Sequence, residues 1–232
     1  MWTRRHLTGQ LAVPELPPLL PLLRPDDVFL DVGAHAGGWA VPVSRVLTSG
    51  HVYAFEALPH YAAVLKSTLA LLGRRNVTVV VGAVSDKAGE LSIVWRDPAG
   101  QRLTGRTHVS RGSETGESVR VKALTLDDFC RSHGIERVRL MKCDIEGAEL
   151  MALRGATVTL ERWRPLVYCE LYEEYCIQYG HHARDVFAFF AERRYKTVQI
   201  ENGKFRPLDA STYSGVGDVL FVPAEFEVPG CA

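Results

Sequence analysis

Phe29-Leu30-Asp31-Val32-Gly33-Ala34-His35-Ala36-Gly37-Gly38 is the stretch that decides the fold. An apolar run is followed by a glycine-rich turn and an amphipathic segment, the pattern of a strand, a turn and a helix in an open α/β sheet. A dinucleotide-binding turn would have glycine in place of Asp31, because its backbone approaches a pyrophosphate that an aspartate would repel. S-adenosylmethionine has no phosphate but carries an ammonium and a sulfonium group. The turn therefore favours S-adenosylmethionine over a dinucleotide.

Further candidate cofactor residues end the next strands. Glu56 stands 25 positions after Asp31, about the separation at which a carboxylate meets a ribose diol in this topology. Ala83 and Val84 end the third strand and are small enough to flank a planar base. His35 is open to two interpretations, contact with the ligands or a helix cap. The predicted cofactor-binding residues are Asp31, Gly33, Ala34, His35, Gly37, Glu56, Ala57, Ala83, Val84 and Asp144.

Outward from this stretch, short apolar runs alternate with amphipathic segments, the rhythm of a parallel sheet covered by helices on both faces. The last two strands have too short a connection for a crossover helix and are expected to pair antiparallel. We predict an α/β fold of the class I methyltransferase type, a Rossmann-like three-layer sandwich with a seven-stranded, mostly parallel sheet. The predicted strands are 28–32, 51–56, 77–83, 138–143, 166–171, 196–200 and 218–222, and the predicted helices are 39–47, 61–72, 148–160 and 185–193.

The chain is expected to form one domain at residues 26–225, between an N-terminal arm (1–25) and a C-terminal tail (226–232). Prolines interrupt the apolar part of the arm, which therefore predicts a segment packed on the domain rather than a cleaved signal. Residues 85–123 interrupt the α/β rhythm with two alternating segments around a glycine- and charge-rich piece, Pro98–Gly116. We interpret them as a β-hairpin-like insertion with a flexible tip, which is either a lid over the acceptor or a surface loop without a role.

Composition narrows the classes of partner. The 27 lysines and arginines balance the 27 aspartates and glutamates, which disfavours nucleic acid and anionic membranes as partners. The five cysteines are odd in number and show no C-x-x-C spacing, so we expect buried free thiols and a cytoplasmic protein. No apolar run is long enough to predict a membrane span. The apolar arm leaves a homodimer possible.

The chemistry is expected where the fourth strand ends in Met141-Lys142-Cys143-Asp144-Ile145-Glu146-Gly147-Ala148-Glu149. Asp144 should face the same crevice as Glu56, with Glu170 of the fifth strand opposite it. We predict Asp144, Glu170 and Lys142 as catalytic residues that position and deprotonate an acceptor. A capping role for the acidic residues is the structural alternative. If a divalent cation is present, Asp144 and Glu170 are its predicted ligands.

Weaker candidates follow from position alone. His181 and His182 could supply a base or a metal ligand, although adjacent histidines in such a loop are more often solvated. Trp95, His108 and Tyr172 are candidates for the acceptor pocket, although aromatic residues in this fold are more often part of the core.

Five segments in order resemble the FkbM family of methyltransferases. They are Asp31-Val32-Gly33-Ala34, Phe55-Glu56-Ala57-Leu58-Pro59, Leu124-Thr125-Leu126-Asp127-Asp128-Phe129, Lys142-Cys143-Asp144-Ile145-Glu146-Gly147-Ala148-Glu149 and Asp218-Val219-Leu220-Phe221-Val222-Pro223. The resemblance implies S-adenosylmethionine-dependent O-methylation of small-molecule hydroxyls, among them polyketides, glycans and other secondary metabolites. Cys143 departs from the pattern, because a β-branched aliphatic residue is commoner there.

Alternative functions stay open at this point. An N- or C-methyltransferase of the same fold and a domain that binds S-adenosylmethionine without catalysis both fit the cofactor residues. A nicotinamide oxidoreductase is opposed by Asp31 and by the absence of a G-x-G-x-x-G turn nearby. The loops that would set specificity have no readable code, so the acceptor cannot be named from the sequence.

Overall fold

The computed structural model describes residues 13–101, 103, 108–110 and 116–230. Its strands are β1 (Val28–Val32), β2 (His51–Glu56), β3 (Val77–Val81), β4 (Ala83–Val84), β5 (Gly89–Arg96), β6 (His108–Val109), β7 (Glu117–Leu124), β8 (Leu140–Cys143), β9 (Leu166–Tyr172), β10 (Tyr195–Glu201), β11 (Lys204–Pro207) and β12 (Val216–Pro223). Its α-helices are α1 (Ala40–Val46), α2 (Pro59–Leu71), α3 (Leu126–Ser132), α4 (Glu149–Arg154), α5 (Thr157–Trp163), α6 (Glu173–Cys176) and α7 (Ala183–Glu192). Short 3₁₀ turns lie at Leu20–Leu22, Ile177–Tyr179 and Ala210–Thr212.

The large sheet has the order β11-β10-β12-β9-β8-β1-β2-β3. Strands β1, β2, β3, β8 and β9 pair in parallel, while β12 runs antiparallel to both β9 and β10. The expected α/β architecture and the antiparallel last strand are confirmed. The sheet has eight strands rather than the expected seven, because Asn202 and Gly203 form a two-residue hairpin turn with positive φ values that brings β11 onto β10.

The side chains of β1 show how the layers form. Leu30 and Val32 point into one buried cluster with residues of α3, α4, α5 and α7, whereas Phe29 points into a second cluster with α1 and α2. Alternation along a strand places successive side chains on opposite faces of the sheet, so both faces are covered. Leu16 and Leu19, on the described part of the arm, are buried in the second cluster. This part of the arm therefore packs on its own domain.

The insertion forms a second, smaller sheet. Strand β5 pairs antiparallel with β7, β6 adds to the outer edge of β5, and β4 pairs with β7. The hairpin expected within residues 85–123 is therefore present. The tip expected between Pro98 and Gly116 lies partly outside the described residues. No helix in the described part of the chain is long and apolar enough to cross a membrane.

The helix expected at residues 148–160 is two helices, α4 and α5. The backbone N–H of Asp127 donates to the Gly155 carbonyl (2.9 Å), which lies at the break. The Asp127 carboxylate accepts hydrogen bonds from the N–H groups of Val158 (2.9 Å) and Thr159 (2.8 Å). A side chain from a distant segment thus caps the new helix, which a local hydrophobic pattern cannot reveal.

Replacing this cap tests its contribution to stability. Asp127→Ala leaves the first N–H groups of α5 without their acceptor, so we expect the free energy of unfolding to fall by about 1–2 kcal/mol. Asp128→Ala is the matched control, because the Asp128 carboxylate is exposed and forms a surface ion pair with Arg131. Its loss is expected to change stability by less than about 1 kcal/mol. Urea unfolding measures both variants, and equal losses would contradict the assignment of the cap.

Candidate functional site

A cavity of about 400 Å³ lies where the carboxyl ends of β1, β2, β8 and β9 meet. This edge of an open parallel sheet is where such folds bind ligands. The described residues on its wall include most of those predicted from the sequence. They are Gly33, Ala34, His35, Glu56, Ala57, Ala83, Val84, Lys142, Asp144 and Glu170.

The glycine turn after β1 packs directly on the turn after β8. Gly33 has φ +82°, and a Cβ atom on it would collide with the carbonyl oxygen of Asp144. The N–H groups of Gly33 and Ala34 donate to the Phe55 carbonyl at 3.0 and 2.9 Å. Only glycine combines this conformation with this close approach. The absence of a side chain at Gly33 therefore lets the turn pack against the Asp144 backbone while Gly33 itself lines the cavity.

Glu56, at the end of β2, hydrogen-bonds to the glycine turn that follows β1. The residue is 6% exposed. Oε2 accepts the His35 N–H at 2.7 Å, and Oε1 accepts the Leu58 N–H at 2.8 Å. Burial raises the pKa of Glu56, and these two hydrogen bonds oppose the rise. Each oxygen keeps a further lone pair for a donor from a ligand in the cavity.

Two predicted cofactor residues are not on the cavity wall. Gly37 has φ +89°, and its Cα faces Leu65 of α2, with no room for a Cβ atom. It therefore serves helix packing, which the glycine spacing alone could not distinguish from ligand contact. Asp31 is fully buried beneath the wall, where its nearest cation is the Lys142 ammonium, 3.8 Å from Oδ1. Burial raises the pKa of Asp31 to about 6, although Lys142 opposes this.

Lys142 connects the two ends of the cavity. Its Nζ donates to the Gly33 carbonyl at 2.7 Å and lies 3.1 Å from Oδ2 of Asp144. The side chain is 5% exposed. Burial by itself would lower the pKa of Lys142, but the carboxylates of Asp144 and Asp31 outweigh burial and raise it. The lysine therefore stays charged and joins the glycine turn to the acidic end.

Three carboxyl groups form that acidic end. One oxygen each of Asp144, Glu146 and Glu170 lies within 4.8 Å of the others. Burial, followed by the Asp144 charge, raises the pKa of Glu170 to about 9, so Glu170 carries a proton at neutral pH. Glu146 was not among the predicted site residues. Its left-handed φ of +59° turns it into the cavity, and the only sequence signal for that turn is the following Gly147.

The residues that the sequence suggested from position alone fall into two groups, those that line the cavity and those that do not. His108 and Val109 of the insertion line the cavity. The Val109 N–H donates to the Tyr179 hydroxyl at 2.8 Å, which joins the insertion to the loop after β9. Trp95, Tyr172, His181 and His182 are not on the wall. His182 instead caps α7 and lies 2.5 Å from Glu173. His35 lines the cavity, and burial lowers its pKa to about 4, so it is neutral at pH 7.

The amino-acid sequence is similar to those of known methyltransferases. The model of the methyltransferase FkbM domain matches residues 31–197. The 2-O-methyltransferase NoeI of Sinorhizobium fredii is 27% identical over 161 residues, 64% of this chain and 65% of that protein. The hexuronic acid methyltransferase AglP of Haloferax volcanii is 29% identical over 161 residues, 69% and 62% of the two chains. The chain thus spans slightly less than two thirds of the length of these relatives.

Two solved structures share the fold at low sequence identity. The methyltransferase FkbM from Methylobacillus flagellatus superposes with a TM-score of 0.56 and 16% identity, covering 94% of this chain and 52% of that one. The O-methyltransferase TomG from Streptomyces achromogenes gives a TM-score of 0.53 at 15% identity, covering 96% and 87%. Both show the class I methyltransferase architecture.

The buried ion pairs predict a specific pH dependence. Lys142→Met removes the cation from the fully buried Asp31, so we expect a loss of about 3–5 kcal/mol in unfolding free energy at pH 7.5. The pKa of Asp31 is already raised from 3.8 to about 6. Its ionisation therefore costs stability, fully above pH 6 and not at all below pH 4. Without Lys142 the pKa of Asp31 rises further, so the variant should continue to lose stability above pH 6, where the contribution of Asp31 in the wild type has levelled off.

Asp31→Asn in the Lys142→Met background removes the group that titrates. The double variant is expected to recover part of the lost stability and to lose the added pH dependence. Urea unfolding at pH 5 and pH 8 measures Lys142→Met, Asp31→Asn and the double variant. Strictly additive effects of the two substitutions would show that the pair is not coupled.

Proposed function

Because the chain belongs to the methyltransferase FkbM domain family, we propose that it transfers a methyl group from S-adenosylmethionine to a hydroxyl oxygen of a small molecule. The observation that carries the proposal is the single cavity that joins the Gly33 turn and Glu56 at one end to Asp144 and Glu170 at the other. The first end has the features of a nucleoside site. The second has the features of an acceptor site.

The residues of the first end fit S-adenosylmethionine. A volume of about 400 Å³ is within the range of small-molecule sites. The buried Glu56 carboxylate can accept from two ribose hydroxyls, and Ala83 and Val84 supply small walls for a planar base. The wall carries carboxylates and one lysine already engaged by Gly33 and Asp144, which suits a cationic ligand without phosphates. When bound, S-adenosylmethionine supplies a methyl group on a positively charged sulfur.

At the second end, Asp144 is proposed to orient the acceptor hydroxyl and to accept its proton as the new O–C bond forms. Lys142 holds this carboxylate in place from below. Glu170 enters the reaction protonated, because its pKa is raised to about 9, and it can donate a hydrogen bond to the acceptor or to Asp144. Positioning supplies most of the rate in such a transfer, with proton removal adding about 10²–10⁴-fold.

Charge at the acidic end limits the acceptor. Asp218, which is not on the cavity wall, lies directly opposite Glu170 on the neighbouring strand. Asp144 is paired with Lys142 and Glu170 is protonated, but the pKa of Asp218 is about 6, so its charge at neutral pH disfavours carboxylates and phosphates nearby. We propose a neutral acceptor and no nucleic acid partner. The buried thiols of Cys130, Cys143, Cys169 and Cys176 support a reducing, cytoplasmic setting.

The insertion is proposed to be a lid rather than a surface loop. Its residues His108 and Val109 are part of the cavity wall, and Tyr179 holds Val109 from the opposite side. In this arrangement residues 26–225 form the catalytic domain and 85–123 close over the acceptor. An acceptor would enter when the Val109–Tyr179 contact opens.

The carboxyl groups of the acidic end could instead bind a divalent cation. Asp144, Glu146 and Glu170 offer carboxylate oxygens, the ligands that Mg²⁺ takes. Lys142 already neutralises Asp144, and Glu170 holds a proton. We therefore expect methyl transfer to persist in EDTA, and loss of transfer that added Mg²⁺ restores would assign the cluster to a metal.

Methyl transfer is tested with S-adenosylmethionine labelled in its methyl group and a panel of neutral sugars, uronic acids and macrolide alcohols. We expect label on an oxygen of a neutral acceptor, located by NMR. Asp144→Asn should lower kcat by about 10²–10⁴-fold, since the amide cannot take the proton. Asp128→Asn is the exposed control and should keep wild-type turnover. Transfer to nitrogen, or unchanged turnover in Asp144→Asn, would contradict the proposal.

A further inference from the structure

The turn that carries the acidic end has a backbone that requires support. After β8 the chain runs through Asp144, Ile145, Glu146 and Gly147 before α4 begins. Glu146 has φ +59° and Gly147 has φ +98°. A left-handed conformation is unfavourable for a non-glycine residue and persists only where the surroundings hold it. Two neighbours hold this turn, one on each side.

Tyr175 of α6 packs against one side of the turn. A Cβ atom placed on Gly147 would lie 2.6 Å from the Tyr175 backbone, so the turn has no room to move in this direction. This contact limits the turn sterically. It does not by itself select the orientation of the peptide groups that present Asp144 and Glu146 to the cavity.

Glu149 supports the other side through hydrogen bonds. Its Oε1 accepts the Ile145 N–H at 2.8 Å and the Gly147 N–H at 3.2 Å. The residue is 1% exposed and is not on the cavity wall. Oε2 is buried and has no hydrogen-bond partner among the described residues. Burial of an acidic group with one oxygen unsatisfied is costly, and the hydrogen bonds from Ile145 and Gly147 offset part of this cost while they fix the shape of the turn.

We propose that Glu149 is a positioning residue that fixes the Asp144–Ile145 and Glu146–Gly147 peptide groups and thereby holds Asp144 and Glu146 toward the acceptor. It touches neither the acceptor nor the cofactor. Its action passes through the turn. The proposal rests on the proposed methyltransferase function for its kinetic readout, whereas its structural readout is independent of any activity.

Hydrogen bonding rather than charge is the basis of this role. Burial raises the pKa of Glu149 to about 7, with the nearby Asp144 adding to the rise and the amide hydrogen bonds opposing it. A glutamine side chain has the same reach and keeps one carbonyl oxygen for both N–H groups. Its amide nitrogen takes the place of Oε2. Glutamine should therefore replace Glu149, whereas alanine should not.

The experiment compares Glu149→Gln, Glu149→Ala and the exposed control Glu136→Ala. Amide hydrogen exchange is followed at Ile145 and Gly147, with the amide of Val32 in β1 as the measure of global stability. In Glu149→Ala we expect both turn amides to exchange at least tenfold faster, beyond any change at Val32. We also expect kcat to fall at least tenfold, with the Kd for S-adenosylhomocysteine within threefold of wild type. Glu149→Gln and Glu136→Ala should stay within threefold on every measure.

Two results would overturn the proposal. One is unchanged exchange at Ile145 and Gly147 in Glu149→Ala, and the other is a glutamine variant as impaired as the alanine variant. If Glu149→Ala does not fold, Glu149→Asp, which keeps the charge but is one methylene shorter, is expected to show the same faster exchange. If the wild type transfers no methyl group, the proposed function fails, while the exchange data still decide the role of Glu149.

Discussion

The buried ammonium group of Lys142 is the interaction on which the arrangement of the cavity depends. It hydrogen-bonds the Gly33 carbonyl after β1 and pairs with Asp144 after β8, with Asp31 beneath. A buried cation that loses a partner leaves an uncompensated charge, which costs several kcal/mol. The two turns are therefore held together as a unit. Because one turn forms the proposed cofactor end and the other the proposed acceptor end, a single ion cluster fixes the distance between them.

At the acidic end, carboxyl groups lie close to one another, whereas around Lys142 a cation is paired with carboxylates. Glu170 and Asp218 stand directly opposite each other on paired strands, where two ionised carboxylates would destabilise the sheet. Burial raises the pKa values of both groups, that of Glu170 to about 9 and that of Asp218 to about 6. Perturbed carboxyl groups gathered at one end of a cavity are typical of sites that handle protons. The cost in stability is thus concentrated where the proposed chemistry takes place.

Much of the fold could be predicted from local pattern, because the alternation of apolar runs and amphipathic segments reflects burial on both faces of the sheet. The strand ends that carry Glu56, Lys142 and Asp144 were found in the same way. Features that depend on distant contacts were missed. The division of the helix at 148–160 depends on Asp127, and the packing role of Gly37 depends on Leu65. Glu146 enters the cavity only because of a backbone conformation that no residue spacing records.

The Gly33 turn and Glu56 are proposed to form the site for S-adenosylmethionine. Calorimetric titration with the product S-adenosylhomocysteine tests it most directly, because it needs no acceptor. We predict saturable one-to-one binding by the wild type and at least about tenfold weaker binding, 1.4 kcal/mol, by Glu56→Ala, with the exposed Glu136→Ala unchanged. Two results would contradict this assignment. One is no binding by the wild type up to about millimolar ligand, which means a binding free energy weaker than roughly −4 kcal/mol. The other is equal binding by Glu56→Ala.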